Sequence, residues 1–471
     1  MDSTLEPLAF EENILGNEHF LLATMRNNST TLAPVNALPP EILVRIFALL
    51  KVYCVLKRDS ATDAFTRVCV YWRRVSVAAA NLWAHIDIGP TIPASLTELL
   101  LDRSKNASID IHAFEPVKYA SSHGPEGHTY ECTVQAMVKL LVPHLHRLRT
   151  LIVVSARVDG LTPAIFDQWS NHGCAGTPTS LSIQRPQSRG ILSVQSQGET
   201  SGNLERMLLA VNTLHLDRVV LIDWASNAYR GLIDLRLEHS GLRNASISIS
   251  QVFGILYSSP ALHTLKLSYV EVHDPGDWAQ PAPIIMGCLE VLTLTETEPA
   301  HAIPILSLIT LSGLRTEVSI MVDSSSGTDI RLVKFLARSK PAILYCYRRP
   351  ASSYDWKCLL QGLPLPHTLF LESFRLRPQS WLEPPVKLLD LLPPVYSVIF
   401  ISCGVTLESL KELVILLETH DLCFHRCRVD DEHQNMESIQ TSLLEVYSDL
   451  NCLVSDANPS KNLGCNRMFD I

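Results

Sequence analysis

One spelling recurs through the middle of the chain and restricts the folds open to it: Leu-x-x-Leu-x-Leu, or a close variant. It stands at Leu148/Leu151/Val153, Val211/Leu214/Leu216, Leu232/Leu235/Leu237, Leu262/Leu265/Leu267 and Leu289/Leu292/Leu294. The last two apolar residues of each set are two apart, the spacing that puts side chains on one face of a strand. Steps between the last four sets are 21, 30 and 27 residues, around the span of short-repeat arrays. Helical stretches fall between them, the clearest at Ser250 to Ser258 ahead of Pro260. A strand of this kind hides its apolar side only against its neighbours, so a stacked α/β solenoid is expected. The alternative is a plain α/β domain with leucine-rich strands.

At 471 residues the chain exceeds one compact core, which agrees with two domains or an extended array. With 46% apolar and 18% charged residues it is a folding chain. A formal charge of -9 and the lack of any long Lys/Arg run argue against a non-specific nucleic-acid binder. No window approaches the near-twenty apolar residues of a bilayer span; the greasy segment around Ile399 is broken by Pro393, Pro394 and Ser397. The amino-terminal MDSTLEPLAFEENIL has no basic n-region, so no secretory signal is expected. The twelve cysteines are scattered, often inside apolar runs (Cys69, Cys288, Cys346, Cys403), and read as buried thiols in a reducing compartment. The expected setting is the cytosol, the nucleus or both, with neither membrane nor nucleic acid as partner.

Ahead of the repeats, Asn36 to Leu50 reads NALPPEILVRIFALL. Two prolines at a helix mouth cost nothing, because the first N–H groups have no partner there. Ile42, Leu43, Ile46, Phe47 and Leu50 then form one apolar helical face. After the polar Lys57-Arg58-Asp59-Ser60, a second stripe follows at Ala61, Ala64, Phe65, Val68, Cys69, Trp72 and Val75. Two or three helices this short cannot cover their own apolar surface, so Leu43, Phe47, Val68, Trp72 and Trp83 are expected to need a neighbour or a partner; the alternative is that they pack on the rest of the same chain.

The series Leu38-Pro39-Pro40-Glu41-Ile42-Leu43, Ile46-Phe47, Val68-Cys69, Trp72-Arg73 and Leu82-Trp83 resembles an F-box over roughly residues 35 to 85. F-boxes bind the Skp adaptor of cullin–RING ubiquitin ligases through a helical surface. The resemblance implies adaptor-facing positions at Leu38, Pro39, Ile42, Ile46, Val68, Cys69 and Trp72. The connector between Leu50 and Ala61 departs from the family's short acidic turn in carrying Lys57 and Arg58. The later phrase LDRSKNASIDIH resembles, more loosely, the segment that follows the F-box in a large family expanded in some fungi. The leucine sets in turn resemble leucine-rich repeats. The Asn usual three residues past the last leucine is replaced by Val219, Ser240, Val270 and Thr297. The carbonyl-bridging ladder such an Asn builds is therefore expected not to form, leaving irregular repeats.

Further elements complete the expectation. His85 to Ile88 and Ile109 to Ile111 read as strands, and Ser95 to Ser104 as a helix with a Ser95/Glu98 capping box. His144 and His146 beside Arg147 and Arg149 mark a solvated helix end. Asp329 to Ser339 reads as a helix, Ala342 to Tyr347 and Tyr396 to Ser402 as strands, and Thr406 as the cap of a helix through Leu417. Residues 177 to 202 read as a long loop and Asp355 to Pro394, with its many prolines, as loop-rich. The domain expectation is a flexible leader over 1–34, a helical F-box module over 35–85, a leucine-rich-repeat-like α/β domain over 86–430 and a polar tail over 431–471. The fold class is α/β: a small all-α module followed by an irregular solenoid.

No Gly-x-Ser-x-Gly elbow, phosphate-binding glycine loop or defensible carboxylate pair is present, so no catalytic residue, cofactor or enzymatic role is expected. Cys423 and Cys427 with His420, His425 and His433 have metal-ligand residue types but no second pair at zinc-finger distance; no metal is expected. Between the leucines, His215, Arg236, Lys266 and Thr293 would form a solvent-facing row, flanked by Asp217 and Glu238, either an ordinary wet strand face or a target-binding surface. The chain thus reads as a substrate receptor that docks the Skp adaptor, and through it a cullin–RING ligase, and that holds an unidentified target protein. The alternative is a scaffold that binds the adaptor without any ubiquitination role.

Overall fold

The computed structural model describes residues 18, 21–23, 25, 34–55, 61–89, 91–115, 125–155, 161–174, 176–185, 192–193, 199–220, 223–238, 246–273, 281–313, 315–322, 330–348, 366–376, 395–429, 435–447 and 449–455. By internal contacts the chain divides into Met1–Pro178 and Thr179–Ile471. The expected leader lies almost wholly outside the described residues, as do Lys57 and Arg58 of the connector.

In the first unit, a 3-10 turn at Pro34–Ala37 leads into α1 (Pro40–Val55), with Glu41 in its first turn on the favourable side of the helix dipole. Helices α2 (Ala61–Val68) and α3 (Val70–Ala78) follow, then a 3-10 turn at Ala80–Trp83. Leu43, Phe47, Phe65, Val75, Leu82 and Trp83 pack into one core, in which Phe47 stacks on Phe65 at 4.8 Å and tilts against Trp72 at 5.0 Å. Cover for Leu43, Phe47 and Trp83 therefore comes from this helical cluster together with its neighbour Leu100, so these side chains pack on the same chain. Six inward side chains converging from four elements suffice where two amphipathic faces alone would not.

Next come β1 (His85–Ile88), α4 (Ala94–Arg103), β2 (Ile109–Phe114), α5 (Pro125–Leu141), β3 (Leu148–Val154) and α6 (Leu161–His172). Strands β1, β2 and β3 pair in order and in parallel. Helix α4 starts one residue before the predicted cap, with Pro93 as N-cap and no side-chain cap bond. Ser95 therefore lies inside the first turn and the Ser95/Glu98 capping box does not form. Arg147 is buried, not solvated. Its guanidinium donates to Leu101 O (3.1 Å), Ala107 O (2.8 Å) and Ser104 Oγ (2.9 Å), satisfying carbonyls that the end of α4 leaves open.

The second unit carries a large parallel sheet. Its strands are β4 (Ser180–Gln184), β5 (Thr213–Asp217), β6 (Asp234–Glu238), β7 (Thr264–Ser268), β8 (Val291–Thr295), β9 (Glu317–Met321), β10 (Ile343–Tyr347), β11 (Thr368–Glu372), β12 (Ser397–Ile401), β13 (Asp421–His425) and β14 (Asn451–Ser455). Each pairs with the next in chain order, in parallel. Between them lie α7 (Glu199–Leu208), α8 (Ile249–Tyr257), α9 (Pro299–Ser307), α10 (Ile330–Ser339), α11 (Leu407–Leu417) and α12 (Met436–Val446). One face of the strands is aliphatic and buried: Leu214, Leu235, Leu265, Leu292, Val318, Leu344, Leu369, Val398 and Leu422 stand in register. Val252, Ile255 and Leu256 of α8 close over Leu235, Leu237, Leu265 and Leu267 around a small apolar cavity. Ser248 caps α8 through a capping box with Gln251, and Thr406 caps α11 as expected.

Strand exits repeat as well. Arg218, Tyr269, Ser373 and Ser402, each the residue after a strand, have positive φ. Their N–H groups donate to Glu238 O, Thr295 O, Ile401 O and His425 O, the last residues of the next strands. The left-handed residue thus extends the ladder one rung past the strand, and that bond offsets a conformational cost of about 1–2 kcal/mol.

Three expectations are corrected here. Strand β4 lies inside the predicted 177–202 loop and α7 begins in its last four residues, and β11 lies inside the proline-rich 355–394 segment. The predicted tail over 431–471 contains α12 and β14, with Ile439, Leu443 and Cys452 buried. In β4 the apolar residues are separated by Ser, and in β11 and β14 a run of three (Leu369 to Leu371, Cys452 to Val454) stands alone in a proline-rich or polar setting, too short to register until a neighbouring strand supplies the other side of the ladder. Among the described residues no helix is long and apolar enough to cross a membrane.

Candidate functional site

Helix α1 is apolar on two sides. Leu43 and Phe47 point into the core, while Ile42 (45% exposed), Leu49 and Leu50 point out. Ile42 and Leu49 are seven residues apart and share a face. Val68 (56% exposed) and Val70 add apolar surface at the junction of α2 and α3. Pro39 is exposed, and Leu38, Ile46 and Trp72 are partly buried. Trp72 Nε1–H donates to Asn36 Oδ1 at 2.7 Å, and Tyr71 OH donates to Leu38 O at 3.3 Å. These bonds tie the segment before α1 to α3.

Cys69 departs from its expected role. It is buried, its backbone is extended, and its Sγ accepts the Trp72 N–H at 3.4 Å as the N-cap of α3. It shapes the bend between α2 and α3 and presents nothing to a partner. Leu49 on α1 and Val70 on α3 are exposed as well, and the LPPEIL and VC..WR spellings do not single them out.

The row on the sheet is real as a line and wrong as a surface. Ser182, His215, Arg236, Lys266, Thr293, Ser319, Tyr345 and Phe370 face one another rung by rung. Yet His215 is 3% exposed, Lys266 1% and Thr293 0%, and Asp217 and Glu238 are buried too. Strands about 4.8 Å apart flank every side chain on two sides, a condition that alternation along one strand does not reveal. Ser182 Oγ lies 3.2 Å from His215 Nδ1, and His215 Nε2 lies 3.1 Å from Glu238 Oε1, a polar tie across three strands. Arg236 is partly buried and pairs with Asp234 of its own strand at 2.8 Å. Farther along the face, Met321, Tyr345, Tyr347, Phe370 and Ile401 form an apolar cluster that the leucine spelling did not announce.

One rung of the expected missing ladder does form. Thr297 Oγ1 lies 3.3 Å from Leu267 O and 3.2 Å from Thr295 O, and accepts the Val270 N–H at 3.5 Å. A hydroxyl thereby bridges consecutive turns where an Asn would otherwise reach. Ser240 lies outside the described residues.

In the Cys/His segment, Cys423 and His425 stand on β13, and His425 is buried with Nδ1 3.0 Å from Ser455 O. His420 is exposed beside Tyr396, and His433 lies outside the described residues. Among the described residues no group of three His, Cys, Asp or Glu is arranged to hold a metal ion. In the first unit, Asp87 Oδ1 lies 3.1 Å from His112 Nδ1 and 3.5 Å from His85 Nε2. Burial pushes its pKa up, but the bonds and charges of the two histidines outweigh this and hold it well below the usual carboxylate range.

Comparison with protein-family models finds no match, and comparison with curated proteins finds none either.

Proposed function

We propose that the chain is the substrate-recognition subunit of a Skp–cullin–F-box ubiquitin ligase. Residues 35–85 act as the F-box that docks the Skp adaptor, and the repeat domain, an irregular leucine-rich-repeat solenoid, holds a target protein. The observation that carries this reading is the double-sided α1. A helix that seals a core with Leu43 and Phe47 while leaving Ile42, Leu49 and Leu50 in water has surface to spend on a partner. Those outward residues fall where the LPPEIL spelling resembles the adaptor-facing half of an F-box. Strictly sequential parallel strands, helices in the connections and the recurring left-handed exits support the solenoid. In this reading the chain supplies no chemistry; it orients a target toward subunits that do.

Co-purification with the Skp adaptor tests the proposal. The intact chain is expected to retain the adaptor, and Ile42→Asp with Val68→Asp, both exposed and outside the core, to lose it while keeping the fold by circular dichroism. Failure of the intact chain to retain the adaptor would reject the reading.

A further inference from the structure

Cys403 and Cys427 occupy equivalent places one turn apart. Each stands just before a two-residue strand, and those strands pair in parallel, Gly404 with Arg428 and Val405 with Val429. The Arg428 N–H donates to Cys403 O at 2.9 Å, so the cysteines form the rung before that pair. Their thiols share one placement, Cys403 Sγ 3.4 Å from Ile401 O and Cys427 Sγ 3.6 Å from His425 O, and Cys403 Sγ also donates to Leu371 O of the preceding strand at 3.2 Å. Ile401 and His425 face each other across β12 and β13. Adjacent strands run about 4.8 Å apart, inside the 4.4–6.8 Å Cα separation that a disulfide accepts. The two thiols lie close enough to shift each other's ionisation, and they differ in access: Cys403 is fully buried, Cys427 only partly.

We propose that Cys427 and Cys403 are a hydroperoxide-sensitive dithiol, in which Cys427 is oxidised first and Cys403 closes the disulfide. The neighbouring Cys403 thiol lowers the pKa of Cys427, whereas burial raises that of Cys403, so the accessible sulfur is also the better thiolate. Cys346 and Cys452, both buried, are pushed up to about 12 and about 11 by burial and remain thiols. The Cys427 thiolate attacks one peroxide oxygen and the O–O bond breaks. Hydroxide leaves and takes a proton as water, and Cys427 becomes a sulfenic acid. The Cys403 thiol then gives up its proton, its sulfur attacks Cys427 Sγ, and the S–O bond breaks as the S–S bond forms. The departing hydroxide leaves with that proton as a second water, so each sulfur has lost one electron to the peroxide. The product ties β12 to β13, and a dithiol reductant restores it.

The test uses the full, reduced chain treated with hydrogen peroxide, followed by alkylation of the remaining thiols and peptide mapping by mass spectrometry. The expected result is loss of Cys403 and Cys427 together from the alkylated pool, their joining in the dominant cross-link, and recovery of both with dithiothreitol. In Cys403→Ser, Cys427 should accumulate as a sulfenic acid trapped by dimedone; in Cys427→Ser, Cys403 should stay a free thiol. Cross-linking of Cys427 to Cys423 or any other cysteine, survival of both thiols while the exposed Cys174 and Cys288 oxidise, or dimedone labelling of Cys403 in Cys427→Ser would overturn the inference. The wild-type map decides the pairing even if neither variant folds.

Discussion

Asp87 shows how little of a residue's role its type announces. In sequence it is the polar member of a strand alternation, and in space it lies within reach of two imidazoles, His85 of its own strand and His112 of the neighbouring one. Its folded pKa is depressed, so the stability it contributes is present above the ordinary carboxylate value of about 3.9 and is lost as pH falls through the folded value. Wild type is therefore expected to exceed Asp87→Asn in stability near neutral pH, with the gap closing as the solution is acidified. Urea unfolding of both across an acid series checks this; a gap that stays constant with pH would contradict it. Thr297 and Cys69 carry the same lesson. Each uses a small polar side chain for a backbone bond that another residue type more commonly makes, and no spacing rule separates these positions from inert ones.

At the scale of elements, α1 assigns its apolar residues to two environments within a single turn. Phe47, buried against Phe65 and Trp72, and Ile42, facing out, are both large and apolar in sequence. Phe47→Ala is expected to cost about 3–5 kcal/mol, whereas Ile42→Asp should move stability by no more than about 0.5 kcal/mol. Thermal unfolding of the two variants measures the contrast. The elements that were legible were those with dense, regular apolar spacing: α1, α3, the leucine strands, α10 and α11. Strands β4, β11 and β14 were not, because each offers only two or three apolar residues in a proline-rich or polar setting. The Ser95/Glu98 box failed for a local reason, since Pro93, with its φ already fixed, takes the N-cap place of α4 two residues before Ser95.

For the molecule as a whole, the parallel register of the second unit matters most. It places His215, Lys266 and Thr293 in a line and at the same time buries them, turning a predicted wet face into an internal polar seam. Lys266→Glu reverses a charge that is 1% exposed and is expected to destabilise the second unit by about 3–5 kcal/mol. Lys266→Met, which keeps the apolar stem, should cost less. Denaturant titration separates the two; equal effects would mean that the ammonium group contributes nothing to the seam.

By itself the sequence determined the apolar periodicities, and with them the more densely apolar helices and strands, the leucine sets that stack in parallel and the helical cluster between Pro40 and Trp83. Periodicity reports which side of an element is apolar, because that depends only on spacing along the chain. Tertiary structure alone decided which apolar side of α1 was sealed and which left open, that Cys69 caps a helix, that the polar row is enclosed, and that Cys403 meets Cys427. Those outcomes depend on what the neighbouring rung or helix places within a few ångströms, and spacing along one strand carries no record of it.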